Sequence, residues 1–251
     1  MIKNKVICII GGSGLIGKSF VNECKKQNAR VIVADIFKDN KKLIKKNKEN
    51  NIKYINIDIT QESSIVSLFR YIKKEFLHLD SVVLCAYPKS KKFGSSFENL
   101  DPKYLKEDLF NQLGSPIILS KHAIKYFLKQ GFGNIIHLSS IQGTTSPKFE
   151  HYKGTTMVSP IEYSAIKSGI ISVTKYLAKF YRNKNIRVNC ISPGGIKNNQ
   201  PKKFLQRYKK ECSSKGMLDP EDLNSALIFL LSDESRFING QNIIVDDGWS
   251  L

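Results

Sequence analysis

The sequence of 251 residues lacks long hydrophobic runs and a recognisable export signal. No stretch of eighteen or more apolar residues occurs, so the sequence predicts no transmembrane helix. The first residues lead directly into a strand-like pattern, without the separate apolar region and small-residue cleavage site of a secretory signal. These absences predict a cytoplasmic protein that has no membrane partner.

Disulfide and metal frameworks are also not indicated. The number of cysteines is odd, the cysteines are far apart, and no Cys-x-x-Cys motif occurs. No spacing of His, Asp and Glu is typical of a catalytic metal site. The cysteines are therefore predicted to be small apolar residues in or near a reduced core. They are Cys8, Cys24, Cys85, Cys190 and Cys212.

Acidic residues are few, since 22 Asp and Glu stand against 40 Lys and Arg, giving a formal net charge of +18. The excess either attracts nucleic acid and phosphorylated small molecules or reflects lysines spread over solvated helices. The densest basic run, residues 38–48, contains no interleaved aromatic residue, which predicts an exposed helix. Nucleic acid is therefore not an expected partner.

Short apolar runs alternate along the chain with longer helical patterns. This alternation predicts an α/β fold with a doubly wound, parallel, seven-stranded sheet and helices on both faces. No repeat, linker or composition break divides the chain, so residues 1–251 are predicted to form a single domain. Strands are predicted at 5–10, 30–34, 53–57, 80–85, 133–138, 187–191 and 241–245. Helices are predicted at 15–27, after Thr60 to about 76, 105–130 with a break near Pro116, 162–183 and 220–231.

A Gly-x-Gly-x-x-Gly motif at Gly12, Gly14 and Gly17 follows the first strand and opens a helix. Such glycines permit a tight turn, a close approach of the backbone to a pyrophosphate, and packing of helix on strand. Asp35 ends the second strand 18 residues after Gly17, where a carboxylate can bind the adenosine ribose hydroxyls and repel a 2′-phosphate. The motif predicts a Rossmann-type fold that binds NAD, although Lys38 leaves NADP open.

A second motif places Tyr163 and Lys167 four residues apart, on one face of a predicted helix. The pKa of a free tyrosine is about 10, and a nearby ammonium group lowers the pKa because it stabilises the phenolate. Ser140 follows the fifth strand, whose carboxyl end lies at the same sheet edge as the glycine motif. Together these residues predict proton transfer beside a bound dinucleotide.

With these motifs on nearly its whole length, the chain resembles the short-chain dehydrogenase/reductase family. The motifs that carry the resemblance are the glycine loop 11–17, Asp58, and residues 111–114, 136–140, 163–167, 189–195 and 239–248. The resemblance implies that Tyr163 is the general acid or base and that Lys167 holds the nicotinamide ribose. It implies that Ser140 orients the substrate oxygen and that Asn111 serves a proton relay.

The resemblance also implies a set of cofactor contacts, with Asp58 at the adenine and Pro193 and Gly194 beside the nicotinamide. The full predicted set is Gly11, Ser13, Gly14, Leu15, Ile16, Asp35, Asp58, Ile59, Ala86, Tyr163, Lys167, Pro193, Gly194 and Ile196. The expected cofactor is NAD, with NADP as the alternative.

Three features depart from the family pattern. The middle glycine of the loop is Gly14, whereas many members have this glycine one residue later, at the position that Leu15 occupies in this chain. The usual Asn-Asn-Ala-Gly after the fourth strand is replaced by residues 84–87, Leu-Cys-Ala-Tyr. Ser140 and Tyr163 are 23 residues apart, which is about ten more than usual. The resulting insertion, around 144–161, is predicted to shape the substrate pocket, since long loops at such positions are more often functional than not.

Within the family, segments 86–89, 146–150, 160–169 and 194–201 resemble flagellin-modification oxidoreductases of nonulosonic (legionaminic-type) acid pathways in bacteria. That resemblance implies a sugar, sugar phosphate or nucleotide sugar as substrate. Lysines in two loops offer contacts for an anionic sugar, or they are ordinary solvated side chains. These lysines are Lys89, Lys91 and Lys92 after the fourth strand, and Lys148 and Lys153 in the insertion. Tyr87, Lys89 and Lys148 are the candidate substrate contacts.

Two other functions stay open on the sequence alone. The same catalytic residues serve a carbonyl or 3-oxoacyl reductase that acts on a non-sugar ketone. A dinucleotide-sensing protein without turnover is the alternative of another class, although a sensor does not need Ser140, Tyr163 and Lys167. The resemblance implies a homodimer or homotetramer, with the helix that carries Tyr163 at an interface.

Overall fold

Runs of valine and isoleucine form the strands of the structure, a computed structural model in which residues 1–37 and 52–251 are described. β-branched side chains fit the pleated surface of a buried strand, which explains why these runs extend rather than coil. The strands are β1 Val6–Ile10, β2 Arg30–Asp35, β3 Ile52–Asn56, β4 Ser81–Leu84, β5 Gly133–Leu138, β6 Ile186–Pro193 and β7 Asn242–Val245.

All neighbouring strands are parallel, in the order β3-β2-β1-β4-β5-β6-β7. The chain moves outward in one direction from β1 to β3 and in the other from β4 to β7. A crevice therefore opens between β1 and β4 at the carboxyl ends of the strands, where α/β sheets of this kind bind ligands. The predicted doubly wound, seven-stranded sheet is confirmed.

Helices cover both faces of the sheet. They are α1 Leu15–Lys26, α2 Glu62–Glu75, α3 Pro102–Leu109, α4 Ser115–Gln130, α5 Ile161–Phe180, α6 Lys202–Lys210 and α7 Asn224–Leu231. In β1, Val6, Cys8 and Ile10 pack into one hydrophobic cluster, and Ile7 and Ile9 pack into the other. Because a strand points alternate side chains to opposite faces, β1 is buried on both sides and holds the centre of the sheet rigid.

Several predicted helix boundaries change in the structure. The predicted 105–130 helix begins earlier, because the Asp101 side chain accepts a hydrogen bond from Lys103 N at 3.0 Å and Pro102 fits a first helical turn. Its interruption is a π-helical stretch, Phe110–Gly114, and Pro116 lies in the first turn of α4.

Two further expectations need correction. Thr60 does not cap α2, because Gln61 precedes the helix and Thr60 Oγ1 donates to Asp58 Oδ1 at 2.7 Å. The helix predicted at 220–231 is a 3₁₀ turn, Pro220–Leu223, followed by α7. Helix α6 was not predicted, since lysines dominate its sequence. The basic run 38–48 and its Lys38 lie outside the described residues.

All five cysteines are free, and Cys8, Cys24 and Cys190 are buried. Within residues 1–37 and 52–251, no cluster of three or more His, Cys, Asp or Glu side chains could hold a metal ion. No described helix combines the length and apolarity needed to cross a membrane.

Candidate functional site

A cleft of about 770 Å³ opens at the carboxyl ends of β1, β4, β5 and β6. This volume lies within the range of ligand-binding pockets in proteins. All fourteen predicted cofactor contacts line it: Gly11, Ser13, Gly14, Leu15, Ile16, Asp35, Asp58, Ile59, Ala86, Tyr163, Lys167, Pro193, Gly194 and Ile196. Ser140, Tyr87 and Lys89 line it as well, whereas the predicted site residues Asn111 and Lys148 do not. The fold thus brings residues from seven separate segments to one place.

The glycines of the turn leave the backbone uncovered, so a ligand in the cleft can approach it closely. Gly11 has a φ of +77°, and a Cβ built on it would lie 2.5 Å from Ala86 N. A Cβ on Gly17 would overlap the Gly11 carbonyl oxygen, so α1 packs directly against the turn. Gly14 precedes α1 without a side-chain cap. The first N–H groups of α1 are therefore left to bind an anion, supported by the partial positive charge of the helix end.

Two carboxylates border the cleft near this turn. Asp35 accepts hydrogen bonds from Ser13 N and from Ile36 N, both at 2.8 Å, and so ties the glycine turn to the end of β2. Asp58 Oδ1 accepts from Thr60 N at 2.9 Å. Each carboxylate oxygen has more than one lone pair, so both groups can still accept hydrogen bonds from a ligand.

Three of the four predicted catalytic residues, Ser140, Tyr163 and Lys167, meet in the cleft. Ser140 follows β5, and Tyr163 and Lys167 come from the first turns of α5. Lys167 Nζ donates to Leu138 O at 3.1 Å and lies 5.5 Å from the centre of the Tyr163 ring. Ser139 Oγ donates to Lys167 O at 2.7 Å, which holds α5 against the end of β5. The spacing of four residues places both side chains on the cleft side of the helix.

The electrostatics of this group differ from the prediction. Burial raises the pKa of Tyr163 above its usual 10, and a hydrogen bond with Ser140 only partly opposes the rise. Burial also lowers the pKa of Lys167 to about 8. The net pKa of Tyr163 therefore lies above that of a free tyrosine, because burial of the phenol outweighs the groups that stabilise the phenolate.

Tyr87 stands where the family pattern has a glycine, and its ring fills part of the cleft wall. The ring meets that of Tyr163 edge to face, with centres 5.8 Å apart and planes at 80°. Lys89 Nζ and Lys167 Nζ lie 4.8 and 5.4 Å from the Tyr87 ring centre. Cations at such distances are attracted to the negative face of an aromatic ring. The Tyr87 ring thus contacts Tyr163 and both lysines.

The other predicted lysine contacts are placed elsewhere. Lys148 Nζ binds Glu211 Oε2 at 2.6 Å and lies 4.9 Å from the ring centre of Trp249, outside the cleft lining itself, so its contact with substrate stays a prediction. Lys92 and Lys153 pair with Asp101 at 3.3 Å and Glu150 at 2.8 Å. Each lysine is held by a local carboxylate, and among the described lysines only Lys89 and Lys167 line the cleft.

Asn111 is half-buried in the π-helical stretch, and its neighbour Gln112 takes the position next to Lys167. Gln112 and Lys167 line one small cavity of about 20 Å³ behind Tyr87. Both side-chain amide atoms of Gln112 are buried without a hydrogen-bond partner among the described residues. The cavity has room for about one water molecule. Gln112 is therefore a second candidate for the relay, and the role of Asn111 stays a prediction.

The insertion 144–161 folds against parts of the chain that sequence reasoning had not connected to the site. Together they form the aromatic side of the cleft, which consists of His151, Tyr152, Phe204, Tyr208 and Trp249. Gly195 N donates to the Tyr208 hydroxyl at 2.6 Å, which fixes α6 to the segment after β6. The spacing of Phe204 and Tyr208, the buried residues of α6, was the one available signal for this side.

Comparisons with known proteins agree with this geometry. Residues 13–250 match the family model described as enoyl-(acyl carrier protein) reductase. The chain is 41% identical over 256 residues to post-translational flagellin modification protein A of Campylobacter coli, with 100% of both chains covered. It is 28% identical to the 7alpha-hydroxysteroid dehydrogenase of Bacteroides fragilis, covering 99% of this chain and 95% of the relative.

A solved structure gives the same result. The short chain dehydrogenase of Leptospira borgpetersenii, crystallised with bound NAD+, matches with a TM-score of 0.89 and 31% identity. The match covers 100% of this chain and 94% of that one. The resemblance inferred from the motifs, including the likeness to flagellin-modification proteins, is confirmed: this chain belongs to the short-chain dehydrogenase/reductase family of oxidoreductases.

Proposed function

We propose that this protein is a cytoplasmic, NAD-dependent oxidoreductase that transfers a hydride to or from an alcohol or ketone. Its substrate is a sugar, sugar phosphate or nucleotide sugar of bacterial surface-glycan (nonulosonic acid) biosynthesis. One observation carries the proposal: the glycine turn, Asp35 and the group Ser140, Tyr163 and Lys167 line a single cleft. The likeness to the flagellin modification protein of Campylobacter coli supports the substrate class.

The cleft fits a dinucleotide through its own residues. The turn at Gly11 is a cradle that a Cβ would fill, and the first turn of α1 offers N–H groups to the pyrophosphate. The Asp35 carboxylate accepts hydrogen bonds from ribose hydroxyls and repels a 2′-phosphate, which favours NAD. NADP is the alternative cofactor, because the sequence places Lys38 three residues after Asp35; Lys38 itself lies outside the described residues. The NAD+ bound by the Leptospira relative supports the first choice.

The residues of the chain manage the proton and the developing charge. The nicotinamide supplies or accepts the hydride when it is bound. The Tyr163 hydroxyl donates its proton to the substrate oxygen during reduction and takes it back during oxidation. Ser140 donates a hydrogen bond to the same oxygen, and Lys167 stabilises the negative charge that forms on the phenol oxygen. The raised Tyr163 pKa keeps the phenol protonated at neutral pH, which suits the reductive direction.

Gln112 completes the path of the proton. Its unpartnered amide atoms border the small cavity beside Lys167, so one water molecule there can bond to both side chains. In this proposal the water passes a proton toward Lys167, and Gln112 takes the relay position that the family pattern gives to Asn111.

A substrate screen tests the proposed reaction and the proposed substrate class. Purified protein with NADH or NAD+ is offered sugars, sugar phosphates, nucleotide sugars, short acyl ketones and steroids, and the cofactor absorbance is followed. Tyr163→Phe removes the proton donor and should lower kcat by roughly 10²–10⁴-fold. Tyr176→Phe is the matched control, because Tyr176 is an exposed tyrosine of the same helix that stacks on Phe180. Equal activity of the Tyr163 variant and wild type would reject the mechanism.

The screen also separates the alternatives. A non-sugar ketone is the second candidate substrate, favoured by the aromatic side of the cleft and by the steroid dehydrogenase relative. Turnover of acyl ketones or steroids but of no sugar would establish it. Binding of NAD+ without hydride transfer to any compound would instead identify a dinucleotide sensor.

The proposed assembly is a homodimer or homotetramer built on α5. Tyr176 and Phe180 are each 63% exposed on that helix, and such paired aromatic side chains suit an interface between copies. Light scattering of the purified protein and of a Phe180→Lys variant tests this assembly. A monomeric wild type would contradict it.

A further inference from the structure

The aromatic side of the cleft contains two buried polar atoms that the mechanism above does not use. Trp249 Nε1 and His151 Nδ1 have no hydrogen-bond partner among the described residues. Both side chains are only 3% exposed, and both line the cleft. A buried polar atom without a partner costs free energy, so two of them on neighbouring rings that line one cleft require an explanation.

Packing fixes these two rings. The Trp249 ring stacks on Tyr208 with centres 5.5 Å apart and planes at 14°, and the His151 ring lies 5.8 Å from both Trp249 and Tyr208. Phe204 lies edge-on to His151 at 6.1 Å. Rings held on several sides have little freedom to turn toward other partners, so their polar atoms are already oriented when a ligand arrives.

The two atoms have complementary hydrogen-bonding character. An indole N–H is a donor only. His151 Nε2 faces Glu211 Oε1 at 4.0 Å, and this negative charge favours a proton on Nε2, which leaves Nδ1 as an acceptor. Burial lowers the pKa of His151 against the opposing effect of Glu211, with Lys148 and Arg207 also lowering it, so the ring is neutral at pH 7. The pair therefore offers one donor and one acceptor.

A hydroxyl group satisfies such a pair, because its oxygen accepts while its hydrogen donates. A phosphate or carboxylate has no proton to give to Nδ1 and would need a cation nearby. Lys148 Nζ lies 4.9 Å from the Trp249 ring centre, but its charge is already paired with Glu211 at 2.6 Å. An acyl chain would leave both atoms without partners. The chemistry of this side thus selects a neutral, hydroxylated group.

We propose that Trp249 and His151 form a subsite for the hydroxyl groups of a neutral saccharide ring. This inference rests on the proposed function, and it names the part of the substrate that specificity depends on. The anionic part of a substrate, where one exists, lies on the other side of the cleft, near Lys89. The insertion then acts as the segment that brings His151 to the substrate.

The single tryptophan of the chain provides a direct probe of this subsite. The full-length protein, saturated with NAD+, is titrated with methyl glucoside, methyl galactoside and N-acetylglucosamine while the Trp249 emission is recorded. Inorganic phosphate and hexanoate are the comparison ligands. At least one saccharide should change the emission saturably, and phosphate and hexanoate should not.

Three variants assign the effect to its atoms. His151→Phe keeps an aromatic ring but removes the acceptor, and it should weaken saccharide binding roughly tenfold. His151→Gln restores polar atoms and should recover part of that loss. His78→Phe is the matched control, because His78 pairs with Asp80 at 3.0 Å away from the cleft. Unchanged NAD+ affinity shows that each variant is folded.

A kinetic measurement completes the test. Trp249→Phe removes the N–H donor and should raise the KM for the saccharide that shows hydride transfer by roughly tenfold, with a smaller change in kcat. Hydride transfer to a saccharide with an unchanged KM in both the Trp249 and His151 variants would overturn the subsite while leaving the proposed function intact. Saccharide binding without any hydride transfer would overturn the proposed function while leaving the subsite intact. If no saccharide changes the Trp249 emission, the two atoms hold an ordered water only and the inference is rejected.

Discussion

The two sides of the cleft are built in different ways. The side that holds the glycine turn consists of strand ends and helix starts, and its key contacts are backbone groups and a carboxylate, Asp35. The aromatic side consists of side chains from the insertion, from α6 and from the turn that contains Trp249. The sheet topology itself positions the first side, whereas packing between distant segments positions the second. One side is therefore set by the fold and the other by the particular sequence.

The largest expected effect concerns the side set by the fold. Gly11→Val introduces a side chain where φ is +77° and where a Cβ lies 2.5 Å from Ala86 N. NAD+ affinity should fall roughly a hundredfold or more, since both the strain and the overlap must be relieved by moving the turn. Calorimetric titration with NAD+ measures the loss.

Gly131→Ala is the control for that variant. Gly131 has a similar φ of +90°, but a Cβ there meets nothing within 4 Å. It should cost about 1 kcal/mol of stability from strain alone and leave NAD+ binding unchanged. Wild-type NAD+ affinity in the Gly11 variant would contradict the prediction, because it would show that the glycine turn can accept a side chain and still bind the cofactor.

The second prediction concerns pH. Burial lowers the Lys167 pKa to about 8, so the ammonium loses its proton as the pH rises through 8. Burial raises the Tyr163 pKa, so the phenol stays protonated there. In the reductive direction kcat/KM should therefore be level below pH 7 and fall above about pH 8, by up to roughly tenfold per pH unit. A profile that stays level to pH 10 would contradict the assignment to Lys167.

The third prediction compares two adjacent residues of the π-helical stretch. Gln112→Leu removes the amide beside the small cavity and should lower kcat roughly tenfold, with little change in KM. Asn111→Ala should have the smaller effect, because Asn111 does not line that cavity. A solvent isotope effect on kcat that changes in the Gln112 variant would link the loss to proton transfer. The opposite ranking of the two variants would return the relay to Asn111.

The smallest expected effect concerns Lys89, which lines the cleft and lies over the Tyr87 ring. Lys89→Gln should raise the KM for a sugar phosphate roughly fivefold and leave the KM for a neutral saccharide unchanged, since a partly exposed cation contributes only about 1 kcal/mol. Lys129→Gln, an exposed lysine of α4, is the control. Equal sensitivity of charged and neutral substrates would show that Lys89 acts through Tyr87 rather than on an anion.

The same contrast explains how far the sequence could predict the structure. The strands, their parallel order and the cleft position of the fourteen predicted cofactor contacts followed from local patterns, because a glycine turn or a buried valine run has the same meaning in any parallel sheet. The place of Gln112 beside the small cavity could not be predicted from the sequence, since the π-helical stretch shifts the side chains by a fraction of a turn. The pairing of Lys148 with Glu211 spans 63 positions and depends on how the insertion folds. Trp249, near the end of the chain, gave no local signal at all.

The hydrogen bond from Gly195 N to the Tyr208 hydroxyl joins the two sides. Gly194, next to it, is one of the proposed nicotinamide contacts, and Tyr208 lies beneath the Trp249 ring. The Tyr208 hydroxyl therefore connects the aromatic stack under Trp249 to the segment that follows β6. Any shift of that stack must either move the segment or break this hydrogen bond.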